Sequence, residues 1–167
     1  MILFHGSNAE IPSINLSKCA KYKDFGQGFY LTSIEQQAKS WAKKITRRFG
    51  TGKAILNIYD FDNNYNDLNH ITFSEPDTQW ATFVINNRNR DFFDVSDTLS
   101  NHDNKYDIVH GLVANDDISA ILETFLLGIL PLSELPQALI FKELNDQYSF
   151  HTDKALLHLK YSGSRIL

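Results

Sequence analysis

An α+β fold is what this sequence predicts, on three observations. Short apolar runs of strand length recur about six times, four or five longer stretches carry helical spacing, and the two kinds do not alternate strictly. Strict alternation would have favoured a doubly wound parallel sheet. In chain order, residues 1–4 form an apolar strand ending on His5-Gly6-Ser7. Residues 29–32 form an aromatic strand preceded by the glycines of Gly26-Gln-Gly28. Ser33 stands where it would cap a helix running to about Phe49. Ala38, Trp41, Ala42 and Ile45 share one face of that helix, and Gly50 and Gly52 end it. Residues 54–59 follow as a strand, and the polar stretch 60–69 as a turn with a short return. Ser74-Glu-Pro-Asp77 opens a helix carrying Trp80, Phe83, Val84 and Ile85, with Pro76 at a tolerated early position. A strand is expected at 106–113, a helix capped by Asn115-Asp-Asp117 and ended by Gly128, and a further helical stretch from 131 to about 142. Residues 147–151 form a short strand, Thr152 caps one turn over 153–157, and a strand near 158–165 closes the chain.

With 167 residues, 43% of them hydrophobic and 22% charged, the chain has the material for one globular domain spanning 1–167. No repeat, low-complexity tract or Pro/Gly linker divides it. The single cysteine, Cys19, excludes an internal disulfide and a zinc site built on thiolates. His110, His151 and His158 lack metal-ligand spacing, so no metal is expected. No apolar stretch approaches the roughly 20 residues of a membrane span. The N-terminus lacks the basic region and long apolar core of a signal peptide. These features predict a cytoplasmic protein with no membrane partner.

Charge is unevenly spread. Residues 1–53 hold nine Lys/Arg against three Asp/Glu, while the remainder holds seven against seventeen. One reading is that Lys39, Lys43, Lys44, Arg47 and Arg48 form the solvated side of a helix; the other is that they attract a pyrophosphate or an acidic partner. The overall net charge of −4 argues against general nucleic-acid binding. His5 at one strand end and Tyr30 in another can wall a flat slot that an aromatic ring such as nicotinamide enters. The Gly26/Gly28 pair alone is satisfied equally by a turn or bulge, and Asn115–Asp117 by helix capping.

His-Gly-Ser at 5–7, Gly26-Gln-Gly-Phe-Tyr30-Leu and Asn145-Asp-Gln147-Tyr-Ser-Phe-His151, in this order, resemble the three motifs of the ADP-ribosyltransferase superfamily. The likeness is to its His-Tyr-Glu branch, which includes diphtheria-toxin-like enzymes and poly-ADP-ribose polymerases. Over nearly the whole chain the sequence more narrowly resembles a bacterial domain-of-unknown-function family placed in that superfamily, through the same Asn-Asp-Gln stretch, residues 23–32 and Val113-Ala-Asn-Asp116. The resemblance implies a mixed or antiparallel split sheet with flanking helices. It also implies NAD as substrate, transfer of ADP-ribose to a protein or nucleic-acid acceptor, a bacterial toxin or effector role, and a neutralising antitoxin partner. Alternatives are an NAD glycohydrolase and a module that binds NAD or ADP-ribose without turnover.

By the same resemblance, His5 hydrogen-bonds the nicotinamide ribose, the Gly6 backbone holds the nicotinamide amide, and Ser7 offers a hydroxyl. Tyr30 stacks on the ring, with Gly28 and Phe29 beside it. Gln147 stands where the family carries Glu. An amide can accept or donate hydrogen bonds there, but it supplies neither charge nor a base. Either catalysis is then slow, or the substrate brings its own nucleophile, or a neighbouring carboxylate takes over, with Asp146 and Asp116 ranked ahead of Glu143 and Asp24.

Overall fold

The computed structural model describes residues 1–90, 99–113, 116–131, 133–138 and 145–167. It has the α+β fold that the sequence predicts, built as two sheets between helices. Strands β1 (Ile2–Ser7), β3 (Ile55–Phe61) and β7 (Leu159–Ile166) form an antiparallel sheet in the order β1-β3-β7. Strands β2 (Phe29–Leu31), β4 (His70–Thr72), β5 (Ile108–Leu112) and β6 (Asp146–Phe150) form a second sheet in the order β2-β6-β5-β4. Only β4 and β5 run parallel in it. A parallel pair needs a long crossover, and helix α2 (Thr78–Arg88) lies in the segment that supplies it. The helices that follow are α3 (Asp116–Leu126) and the single turns α4 (Leu135–Ala138) and α5 (Asp153–Leu156); helix α1 (Glu35–Phe49) precedes them all.

Two apolar cores follow from period-2 alternation along the second sheet. Phe29, Leu31, Ile108 and Phe150 point to one face and pack on Leu3, Tyr59 and Phe61 of the first sheet. Val109 points to the other face, onto Trp80, Phe83 and Val84 of α2 and Leu122 of α3. The far face of the first sheet is covered by α1, whose small Ala38 and Ala42 are buried against it. The layers are therefore α1, sheet, sheet, and α2 with α3.

Two local expectations are met in detail. Thr152 caps α5 through the Ala155 N–H. Gly50 ends α1 at φ 66°, its N–H on the Thr46 carbonyl at 3.0 Å. Others are corrected. Helix α2 starts later than expected: Asp77 caps it by accepting the Trp80 N–H at 2.8 Å, which leaves Pro76 before the helix. Ser33 does not cap α1: Ile34 holds that position without a side-chain bond, because the Ser33 hydroxyl is taken by Asp146. Trp41 is 43% exposed rather than core, with the Lys44 ammonium over its ring. The stretch after β3 does not return to β3; its strand β4 joins the second sheet. Within the stretch expected to be helical from 131, the described helix is Leu135–Ala138, and 139–144 lie outside the described residues. No helix among the described residues is long and apolar enough to cross a membrane.

Gly6 shows why α1 sits so close. A Cβ at residue 6 would lie 2.0 Å from the Ala38 carbonyl oxygen and 2.8 Å from the Ala42 nitrogen, both backbone atoms. Gly6→Ala is therefore expected to push α1 off β1 and destabilise the protein by roughly 1–3 kcal/mol or more, the cost of overpacking. Urea unfolding measures this; an unchanged midpoint would mean that α1 is not seated as described.

Candidate functional site

Strands β1 and β2 meet at one antiparallel bridge, Phe4 opposite Thr32, through N–H to oxygen distances of 2.8 and 2.9 Å. Past that bridge they belong to separate sheets, and the His5 side chain stands at the fork. Its Nδ1 lies 2.7 Å from the Tyr30 carbonyl oxygen, and its ring stacks on Phe29 with centroids 4.4 Å apart. A carbonyl can only accept, so Nδ1 carries the proton and the neutral ring keeps its lone pair on Nε2. Burial pushes the His5 pKa below the usual imidazole value, against the opposing pull of the Tyr30 carbonyl. Ser7, at the end of β1, accepts the Ala9 N–H at 3.3 Å.

The Tyr30 phenol closes the turn that precedes β2. It donates to the Gly26 carbonyl at 2.7 Å and accepts the Phe25 N–H at 3.0 Å. Gly26 takes a φ of 93°, which L side chains rarely adopt. Burial first, and then the nearby Asp24 carboxylate, hold the Tyr30 pKa well above the usual phenol value. The phenol therefore remains a protonated donor. Gly28 answers a different need: a Cβ there would lie 2.7 Å from the His151 ring. His151 in turn donates from Nδ1 to the Gln27 carbonyl at 2.9 Å and faces Ser149 Oγ at 2.8 Å.

Strand β6 sends its first two residues to opposite faces. Gln147, 8% exposed, donates from Nε2 to Asp24 Oδ2 at 3.0 Å and to the Leu112 carbonyl at 3.3 Å. Arg88 at the end of α2 grips Asp24 Oδ1 with Nε at 3.1 Å and Nη2 at 2.9 Å. Asp146 faces the other way. It accepts from Thr32 Oγ1 at 2.7 Å and from the Ser33 hydroxyl and N–H at 2.8 and 3.2 Å. His110 Nε2 lies 3.8 Å from it, and the His110 ring stacks on Tyr148 with centroids 3.9 Å apart. Burial alone would raise the Asp146 pKa, but His110, Thr32 and Ser33 together hold it below the usual carboxylate value.

The three motifs thus connect through hydrogen bonds. His5 holds the backbone of Tyr30, the Tyr30 phenol holds the 23–26 turn, and Asp24 in that turn holds Gln147. The His5 ring stacks on Phe29, the residue before Tyr30, whereas the Tyr30 ring lies beside Phe25 and edge-on to His151. Gly6 and Gly28 owe their missing side chains to α1 and to His151. Of the ranked carboxylates, Asp24 touches Gln147, whereas Asp146 ties β6 to Thr32 and Ser33. Asn115, Glu143 and the side chain of Asp116 lie outside the described residues. Arg88, at the end of α2, anchors Asp24, and no local pattern links residues 24, 88 and 147. A shallow hollow of about 490 Å³ opens at the opposite end of β6, between residues 13–17 and 151–153.

Residues 1–161 match the family described as "Protein of unknown function (DUF3990)". No curated protein and no solved structure matches the chain.

His151 makes stability depend on pH. Burial pushes its pKa from 6.5 down to about 4, outweighing the Gln27 bond and the Asp107 charge. The unfolded chain therefore binds the proton first as pH falls. The stabilisation is whole above about pH 6.5 and is lost progressively toward pH 4, amounting to about 3 kcal/mol; His5 acts in the same direction. Urea unfolding from pH 7 to pH 4 measures the slope, and a flat profile would refute a neutral, buried His151.

Proposed function

The chain belongs to the DUF3990 family, and we propose that it is an NAD-dependent mono-ADP-ribosyltransferase acting on a macromolecular acceptor. The observation that carries this reading is the hydrogen-bonded unit at the fork: His5, β2 with Tyr30, and Gln147, far apart in sequence, joined through the 23–26 turn. The order and residue types of the three motifs support it independently.

The chemistry breaks the bond between the ribose C1′ and the nicotinamide nitrogen. Nicotinamide leaves with the bonding pair as a neutral molecule. A lone pair of the acceptor forms the new bond to C1′, and the acceptor sheds a proton. The transition state resembles an oxocarbenium ion, as in glycoside cleavage, so orientation of the ribose and the surrounding charge govern the rate. In this reading His5 offers its Nε2 lone pair to a ribose hydroxyl, and the Tyr30 ring, pinned at its phenol, is the platform for nicotinamide. The toxin or effector role, a cytoplasmic setting and a neutralising antitoxin are parts of the same proposal.

A second reading, a module that holds NAD or ADP-ribose without turnover, is favoured by one observation. The carboxylates described here are engaged, Asp146 by Thr32 and Ser33 and Asp24 by Arg88 and Gln147. Incubation with labelled NAD and cell lysate separates these outcomes. Transfer of label to a macromolecule is the expected result. Release of free nicotinamide and ADP-ribose alone would assign a glycohydrolase, and binding without cleavage would assign the module. Tyr30→Ala is expected to weaken NAD binding by up to about tenfold through loss of the stack. Calorimetry on the folded variant checks this, and unchanged affinity would remove Tyr30 from the site.

A further inference from the structure

Gln147 stands where a charged residue is expected, and its surroundings determine which end of its amide can meet a ligand. The Nε2 group lies within hydrogen-bond distance of two oxygens, Asp24 Oδ2 at 3.0 Å and the Leu112 carbonyl at 3.3 Å. Neither a carboxylate nor a carbonyl can donate, so an amide turned the other way would face two acceptors with a third. Both Nε2 protons are used in the observed orientation. Asp24 cannot rotate freely to relax this, because Arg88 binds its other oxygen through two nitrogens. The Asp24 backbone belongs to the turn that the Tyr30 phenol pins at Phe25 and Gly26. Oε1 accepts from no described residue and is not sealed from solvent.

We infer that Asp24, clamped by Arg88, is a positioning residue that locks the Gln147 amide with Nε2 inward and Oε1 outward. Gln147 is thereby a dedicated acceptor for a hydroxyl of the nicotinamide ribose. The inference rests on the NAD reading above for its ligand, but not for the orientation itself. It divides the task usually given to one glutamate: the accepting oxygen is kept, while the negative charge lies on Asp24 behind the amide and is matched by the Arg88 guanidinium. It also means that Gln147→Glu alone is the wrong repair. A carboxylate at 147 would face the Asp24 carboxylate and the Leu112 carbonyl with no proton to share, in the manner of paired carboxylates that cannot both ionise.

The test uses three variants of the full chain: Asp24→Asn, Gln147→Glu and the double variant Asp24→Asn/Gln147→Glu. Among the described residues, the charged group facing residue 147 is Asp24, whose other oxygen Arg88 holds, with the Tyr30 phenol in the same turn. In Gln147→Glu the new carboxyl should keep a proton when folded, its pKa raised above the unfolded value. Its stability relative to wild type should then fall as pH rises from 5 to 8. The double variant places an amide donor opposite the new carboxylate and should lose that slope. NAD affinity, measured by calorimetry, should drop about tenfold in each single variant and return to within about threefold of wild type in the double. A Gln147→Glu melting profile parallel to wild type, or unchanged NAD affinity in Asp24→Asn, would overturn the inference. If wild type binds no NAD, the proposed function and the ribose contact fall together, and the pH slope alone then decides the orientation.

Discussion

The bridge between Phe4 and Thr32 joins the two sheets by a reciprocal pair of backbone hydrogen bonds, and the geometry of the candidate site follows from it. On one side of that bridge β1 continues beside β3, while β2 turns toward β6. Strands that part leave unpaired backbone groups, which must find partners or water. The Tyr30 carbonyl finds its partner in the His5 imidazole, which also fixes the ring's tautomer and leaves Nε2 as an acceptor. A side chain at position 5 is thus both a structural plug and a hydrogen-bonding group.

Glycines near the fork are explained by close packing as much as by any ligand. Ala38 and Ala42 press a helix onto Gly6, and the His151 ring fills the space beside Gly28. The two glycines therefore bring α1 and the end of β6 up to the strands that carry His5 and Tyr30. At Gly6 the close approach costs little in side-chain entropy, since it sets a glycine against the backbone of two alanines. The same closeness explains why His151 stays neutral: it is buried, and the loss of water outweighs the Gln27 bond and the Asp107 charge, both of which favour the proton.

Adjacent residues of β6 illustrate how a strand separates roles. Asp146 and Gln147 are neighbours in sequence, yet the pleat sends one toward Thr32 and Ser33 and the other toward Asp24. Asp146 fastens β6 to the start of α1, with the Gln37 amide also donating to its backbone carbonyl at 3.0 Å. Gln147 ties β6 to the 23–26 turn and through Arg88 to α2. Each residue joins its strand to a different helix, so a change at either position alters the frame as well as any chemistry.

The sequence by itself determined the class of fold, most element positions and two caps. Those features depend on residues within a few positions of one another: alternation in β1 and β5, Thr152 before Ala155, Gly50 after Thr46. It also marked His5, Tyr30 and Gln147, because motif order is a property of the chain. Tertiary structure decided everything that required distant residues to meet. It moved Ser33 from the expected cap to a partner of Asp146, since a carboxylate brought 113 residues along the chain outbids a local cap. It turned Arg88 into the clamp on Asp24, and chose Asp24 over Asp146 as the carboxylate beside Gln147, through contacts separated by 64 and 123 residues. No periodicity or local motif records such separations, because they arise only when sheets and helices pack.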